Sequence, residues 1–571
     1  MPLQTIYTIT ANCQDCYRCV RECPVKAIRI RGVQAWVEDD LCIKCGTCVR
    51  ECPQHAKIVR SDLEEARLLL DDSDRVVAVS VAPSFAAIFS GALCRRLPSA
   101  LRQLGFSFVS ETAEGAKYAA DQSFAKPQTG SICTACPAVV NFVEKYRPEY
   151  IDTLIPIVSP MIAHGRMLKK KYPGCAVIFI GPCAAKKNEI LRPENMGAVD
   201  LVLTFQELSE WFDSEEIQLE ECSESSFDRF YAIGDARLFP LQGGMLKTGG
   251  IHSDGTQANV LHVSGAEDAM GIFSDNQNFE GKLIEPLFCK GGCIGGPCLG
   301  NTARAADSQS LFARRENLIA YAETAGKDTT APPAPAIIHQ ADFVPEKQNL
   351  EEVSESQINK ILERTGKIDP AQQLNCGACG YKTCIENAIA VARGMAGAEM
   401  CSPYMRQLAQ QRTDRIIDTT PNGIVILNSE LCMIKMNPAF QKMFMCNNGI
   451  LGRRISYLVN AEGFERLQSG AAEQHEAIQT KYGIKYHEIL YALREENQFV
   501  GIYSDVSKIK YDARQMDAIK TQTLIHARKF LDHQIRFAQE MAHYLGTSTA
   551  QSEEIAKRLI GLYEEDGGEA P

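Results

Sequence analysis

The feature that most constrains this chain is a run of cysteines repeated at fixed spacing. Cys13-x2-Cys16-x2-Cys19-x3-Cys23-Pro24 recurs as Cys42-x2-Cys45-x2-Cys48-x3-Cys52-Pro53. Three closely spaced thiolates wrap one cubane on a tight loop while the fourth points away to another cluster, so the motif comes in pairs. On that rule Cys13, Cys16, Cys19 and Cys52 hold one 4Fe-4S cluster, and Cys42, Cys45, Cys48 and Cys23 hold the other. Two zinc knuckles are the alternative, which the x2-x2-x3-Pro spacing disfavours.

The remaining composition narrows the setting. At 571 residues the chain predicts several domains, and 45% hydrophobic with 23% charged residues predicts buried cores rather than disorder. A net charge of -11 argues against nucleic acid as the main partner. The first residues, MPLQTIYTIT, show no signal-peptide pattern, and the longest apolar run, Val76 to Phe89, is broken by Ser80, Pro83 and Ser84. A cytoplasmic protein without a membrane span is the expectation, and there 23 cysteines read as metal ligands rather than disulfides.

Composition shifts divide the chain into segments 1–60, 76–305, 306–352, 353–403, 412–506 and 507–564. Residues 53–75 read as a connecting helix, and 76–305 as an α/β domain. The Pro- and Ala-rich stretch within 306–352 reads as a linker. Residues 353–403 form a small cysteine domain, 412–506 an α+β domain of short alternating strands, and 507–564 a helical segment. Met516, Thr523, Phe530 and Phe537 recur every seven residues, a pattern that fits equally a dimer-forming helix and one packed on its own domain. The class overall is multidomain α/β and α+β.

Three separated motifs lie within 76–305: CTACP from Cys133, GPCAAKKNE from Gly181 and EPLFCKGGCIGGP from Glu285. Read from the residues, they predict another iron-sulfur site against the alternative of buried structural cysteines, with Gly291 and Gly292 letting the backbone approach a cluster. The third constellation, Cys376-x2-Cys379-x4-Cys384-x16-Cys401, again suits a cubane, with zinc as the alternative. Seven cysteines are left: Cys94, Cys133, Cys175, Cys222, Cys298, Cys432 and Cys446. They read mostly as small buried hydrophobes, with Cys133 and Cys298 the candidates for a redox role.

Residues 5–60 resemble a bacterial two-cluster ferredoxin, whose chemistry is one-electron relay. The three middle motifs, with VAPSF at 81–85 and ALRQLGFSFV at 100–109, resemble the catalytic domain of FeFe (iron-only) hydrogenases. The resemblance implies an H-cluster-like site: a 4Fe-4S cubane on Cys136, Cys183, Cys289 and Cys293, with Cys293 bridging to a two-iron unit. It implies that Lys186 contacts a cyanide of that unit. The thiol that relays protons in the family is replaced by Ala135, which has no exchangeable proton. Ile155 stands where a serine is expected, and Gly181 and Leu287 where methionines are. Slow turnover is the consequence expected.

Residues 353–403 resemble the four-cysteine cluster domain of corrinoid iron-sulfur proteins, which makes a third ordinary 4Fe-4S cluster. Residues 412–506 resemble a PAS domain, with Asn437 and Pro438 suited to open a helix. Taken together these resemblances imply a sensory type of FeFe hydrogenase. It would oxidise hydrogen or reduce protons slowly and report hydrogen or redox state through the PAS domain and C-terminal helices. Its expected partners are hydrogen and protons, a ferredoxin or other redox protein, a downstream signalling protein and a second copy of the chain. The rivals are an electron-transfer or scaffold protein without the two-iron unit, and an ordinary ferredoxin-linked hydrogenase.

Overall fold

The duplicated cysteine motif reappears as a duplicated backbone in the computed structural model, which describes residues 4–507 apart from 33, 73, 126–131, 254–256, 275–278, 300–309, 327–335 and 349–350. Equivalent positions of the two copies turn left-handed together: Asp15 and Lys44, Tyr17 and Gly46, Lys26 and His55. Such turns are uncommon outside glycine. Their recurrence marks two copies of one loop that aims backbone N–H groups inward. A short helix follows in each copy, Arg18–Glu22 and Thr47–Arg50. The strands Ile6–Thr8 and Lys57–Val59 then pair antiparallel and tie the two ends together. The helix predicted over 53–75 is shorter, Leu63–Asp71, because residues 57–59 join that strand pair.

The chain divides into two units, Met1–Met400 and Cys401–Pro571. The first is built on a four-stranded parallel sheet in the order Phe108–Glu111, Val77–Val81, Ala176–Gly181, Leu201–Thr204. The two central strands, VAVSV and AVIFIG, are buried at every residue. An unbroken apolar run is what a parallel sheet covered on both faces requires. A second parallel pair joins Val260–Ser264 to Leu283–Leu287, and Ile132 bridges to both Leu154 and Ile284. The cysteines of each middle motif therefore lie just past the carboxyl end of a strand or bridge, where α/β folds place their ligands.

The stretch 306–352 is not a free linker in its described parts. Leu311–Thr324 is a helix capped by Ser310, and its Leu318 is fully buried in the main core. Beyond it the chain is strapped to the α/β domain by backbone bonds: Val158 N to His339 O at 2.9 Å, Ala341 N to Pro156 O at 3.1 Å and Glu346 N to Glu144 O at 2.9 Å. Such a segment leaves no periodicity for a sequence pattern to catch, yet its backbone N–H and C=O groups still need partners and find them on the domain.

The second unit holds a five-stranded antiparallel sheet in the order Met433–Met436, Gly423–Leu427, Gln498–Asp505, Ile484–Leu493, Gln474–Lys481. Asn437 accepts from Phe440 N at 2.9 Å and so caps the helix Pro438–Met443. Its amide also donates to Ile417 O at 2.8 Å, fastening the helix Ser402–Thr419 to the sheet's first turn. The segment 507–564 and its heptad pattern lie outside the described residues beyond Ser507.

Candidate metal centre

The ligand sets can be followed through the field that one thiolate exerts on another. Burial pushes Cys19 up to about 11, and the charges of Cys16, Cys13 and Cys52 add to it. Burial likewise pushes Cys23 up to about 12, helped by Cys45 and Cys42. Cys48 is raised well above an ordinary thiol by burial and by Cys42, Cys23 and Cys45. The fourth cysteine of each motif thus sits with the other motif, the crossing that the spacing rule demands. Backbone N–H groups point at the same sulfurs: Ala27 N at Cys23 and Ala56 N at Cys52, each at 3.3 Å. Buried thiolates that repel one another cannot all ionise alone; a cationic cluster makes that arrangement stable.

The same reasoning assembles the middle motifs. Cys289 is raised well above its usual range by burial, then by the charges of Cys183, Cys136, Cys293 and Cys45. Cys293 is raised by burial and by Cys136 and Cys183. Four cysteines spread over more than 150 positions of sequence therefore face one point, and Cys45 of the ferredoxin-like part stands behind them. Among the described residues no group of three or more His, Cys, Asp or Glu closes tightly enough for a single metal ion. A cubane takes one thiolate per iron and needs no such closure, so the donor set fits it.

Backbone without side chains lets the loops come this close. Gly292 lies at φ +88, and a Cβ there would meet Pro240 O at 2.2 Å, beside the bond from Cys293 N to that carbonyl at 2.7 Å. Gly46 lies at φ +76, and a Cβ there would meet Pro297 Cγ at 2.4 Å. This second contact seats the ferredoxin-like loop 42–48 against the loop that carries Cys289 and Cys293.

Lys186 lies beside the set, and its charge pulls Cys183 and Cys293 down against their burial. Its Nζ donates to Ser159 Oγ at 2.8 Å and pairs with Glu189 Oε2 at 2.7 Å, all three residues buried. The neighbouring Lys187 has a structural part: fully buried, it pairs with Asp62 and Glu207 at 3.0 Å each and ties the ferredoxin-like part to the sheet.

Ala135 and Ile155 pack with Cys133, Ala113, Ala116 and Met245 in one apolar cluster. At Gly181 a Cβ would meet the Phe179 ring at 2.5 Å, so an aromatic ring occupies space that a larger side chain would need. Sequence reasoning missed two buried carboxyls here. Glu285, pushed up to about 7 by burial, accepts from Met245 N at 3.2 Å and Leu246 N at 3.1 Å. Glu114, pushed up to about 8 by burial, accepts from Phe230 N at 3.2 Å, and its other oxygen has no partner. Glu285 opens the motif EPLFC, but its partners lie 40 residues away and left no local signal. Cys298 is buried near Cys183, while Cys376 is exposed and Cys379 half-buried. Cys401 is the first residue of the second unit, and it precedes the helix Ser402–Thr419.

Comparison with known proteins agrees with this geometry. Residues 75–297 match the family model "Iron only hydrogenase large subunit, C-terminal domain", residues 12–57 the "4Fe-4S dicluster domain", and residues 372–403 an Fe-S cluster model. The chain is similar to NADP-reducing hydrogenase subunit HndD of Solidesulfovibrio fructosivorans, 27% identical over 55% of this chain and 67% of that one. It is also similar to iron hydrogenase 1 of Clostridium pasteurianum, 22% identical over 42% of this chain and 52% of that one. A shorter stretch, 15% of this chain and 17% of the relative, is 37% identical to cytosolic Fe-S cluster assembly factor NAR1 of Vanderwaltozyma polyspora. Among solved structures, FeFe-hydrogenase HydA1 from Chlamydomonas reinhardtii aligns with 51% of this chain and 100% of its own at 17% identity and TM-score 0.39. Residues 75–297 thus match the iron-only hydrogenase large subunit, in one chain with a match to a 4Fe-4S dicluster domain at residues 12–57.

Proposed function

We propose that this chain is an FeFe-hydrogenase-type redox protein that interconverts hydrogen with protons and electrons slowly and serves to report hydrogen or redox state. The observation that carries the reading is the convergence of Cys136, Cys183, Cys289 and Cys293, with Lys186 against two of them. A two-iron unit bound at Cys293 would supply the reversible splitting of hydrogen. The chain's own residues hold the cubane, shield it from water and set a positive charge beside it. Ala135 and Ile155 leave the proton-facing side apolar, which favours reporting over rapid turnover. The five-stranded sheet of residues 423–505, read as a PAS domain, and the segment after it would carry the output to a signalling partner or a second copy of the chain. A ferredoxin or similar protein would exchange the electrons. Among the described residues no helix is long and apolar enough to cross a membrane. A cytoplasmic setting goes with this reading, since thiols that hold clusters stay reduced there.

A second reading, an iron-sulfur assembly or electron-transfer protein without the two-iron unit, is favoured by one contact. Lys186 is already closed in an ion pair with Glu189 and a hydrogen bond with Ser159. The similarity to an assembly factor points the same way. Infrared spectroscopy decides between the two, on protein matured anaerobically with the two-iron unit, in the CO and cyanide stretching region. Bands that shift under hydrogen support the first reading; full iron with no bands supports the second.

A further inference from the structure

The third cysteine constellation is packed onto the ferredoxin-like part through contacts that neither motif requires. Gly380, at φ +94, presses on Val20: a Cβ there would meet Val20 Cγ1 at 2.8 Å and Arg21 N at 3.2 Å. Lys26 Nζ donates to Gly380 O at 2.8 Å and to Val20 O and Arg21 O at 2.9 Å, so one ammonium fastens both loops. Arg21 Nη1 donates to Ala378 O at 3.1 Å, and Ile30 N to Met395 O at 2.9 Å. Tyr381 fills the seam, 5% exposed, with its hydroxyl buried and unpartnered. The Lys26 ammonium stands 5.9 Å from its ring centre. Tyr381 packs in one buried cluster with Cys23, and Cys379 packs against the same cluster. Tyr381 thus lies between a cysteine of the third constellation and the crossed ligand of the second ferredoxin-like set.

We propose that the cluster on Cys23, Cys42, Cys45 and Cys48 is an electron junction with two arms. One arm runs through Cys45 to the Cys136–Cys293 set; the other runs past Tyr381 to the 4Fe-4S cluster of the third constellation, entered at Cys379. The inference rests on the iron-sulfur reading above and not on the presence of the two-iron unit. In each transfer one cluster loses an electron and its neighbour gains it, so no bond is made or broken and no further oxidant is needed. Tyr381 is a positioning residue. Its buried ring serves as dry, packed medium that fixes the gap. The state of the hydrogenase-type site then reaches the third cluster without crossing the Cys13, Cys16, Cys19 and Cys52 set.

Electron paramagnetic resonance of the anaerobically reduced full chain tests this. In the native protein the signal of the Cys23-held cluster is expected to be broadened and fast-relaxing through all three of its neighbours. Cys379→Ser is expected to remove the third cluster's share of that broadening and to lower iron content by about four atoms per chain, one cubane's worth. Gly380→Val, which forces the loop off Val20, is expected to weaken the interaction at full iron content, a result that does not depend on how Cys379→Ser folds. An unchanged line shape after the iron of the third cluster is gone would overturn the junction. Zinc found on the third constellation would overturn it together with the cubane reading of that motif. A Cys379-dependent share of the broadening in protein without infrared bands supports the junction while removing the hydrogenase reading.

Discussion

On one side of Cys136 the loop faces Cys183, Cys289 and Cys293, with Cys45 close behind; on the other, Cys133 and Ala135 meet Ile155, Ala113, Ala116 and Met245. The first flank is crowded with thiols, N–H groups and a lysine, everything a cluster needs to hold and move electrons. The second is small and apolar, and the protons it does hold are held tightly. Cys133 is raised well above an ordinary thiol by burial and by Glu285, and Glu114 is kept up at about 8. The difference teaches that one flank of a cysteine-bearing loop can be dense with thiols and a buried cation while the other consists of apolar packing.

Breaking the electron flank should have the largest effect. Cys289→Ser removes a central thiolate, and loss of about four irons per chain is expected in an iron and sulfide assay, with loss of any infrared bands. Next comes the ion cluster that secures this flank. Lys187→Met leaves Glu207 buried without its cation while Asp62 keeps Arg60 at 2.6 Å, and a loss of about 3 kcal/mol is expected in denaturant unfolding. Sharpening the contrast from the other side, Ala135→Cys restores an exchangeable proton beside Cys136. Hydrogen turnover is expected to rise on the order of tenfold, short of the ~10²-fold or more of a full general acid, because Ile155 stays apolar. No rise at all would place the limit elsewhere than at this alanine.

The smallest effect concerns pH. Glu114 is raised above its unfolded value by burial, so the folded chain binds its proton more tightly than the unfolded chain does. Its contribution to stability is present at low pH and is lost as pH rises from about 4.5 through about 8. Glu114→Gln keeps the bond from Phe230 N and places an amide where an oxygen has no partner. Thermal unfolding at about pH 5 and about pH 9 should show a smaller difference in the variant than in the native chain.

Much of the thiol-rich flank was legible in the sequence because a cubane loop takes three ligands within seven residues, and such spacing survives without knowledge of the fold. The parallel sheet was legible for a related reason: buried strands such as AVIFIG carry their environment in their own composition. What could not be read depends on distant backbone. The strap at residues 339–346 is held by the N–H groups of Ala341 and Glu346 and the carbonyl of His339, in a segment with no periodicity, and it read as a linker. Glu285 and Glu114 gain their roles from N–H groups 40 and 116 residues away, and no local pattern announces such partners. The packing of Gly380 on Val20 is a contact between two cysteine motifs that each read as self-sufficient.

One glycine has a consequence for how the halves of the duplicated loop differ. At the position where Gly46 accepts Pro297, the first copy carries Tyr17, with the same left-handed backbone but a side chain. Two loops of the same backbone shape are thereby keyed differently. The bare one enters the hydrogenase-type socket, and the bulky one would jam there, so the ferredoxin-like part has a front and a back. A pseudo-symmetric insert becomes a directional connector through a single missing side chain.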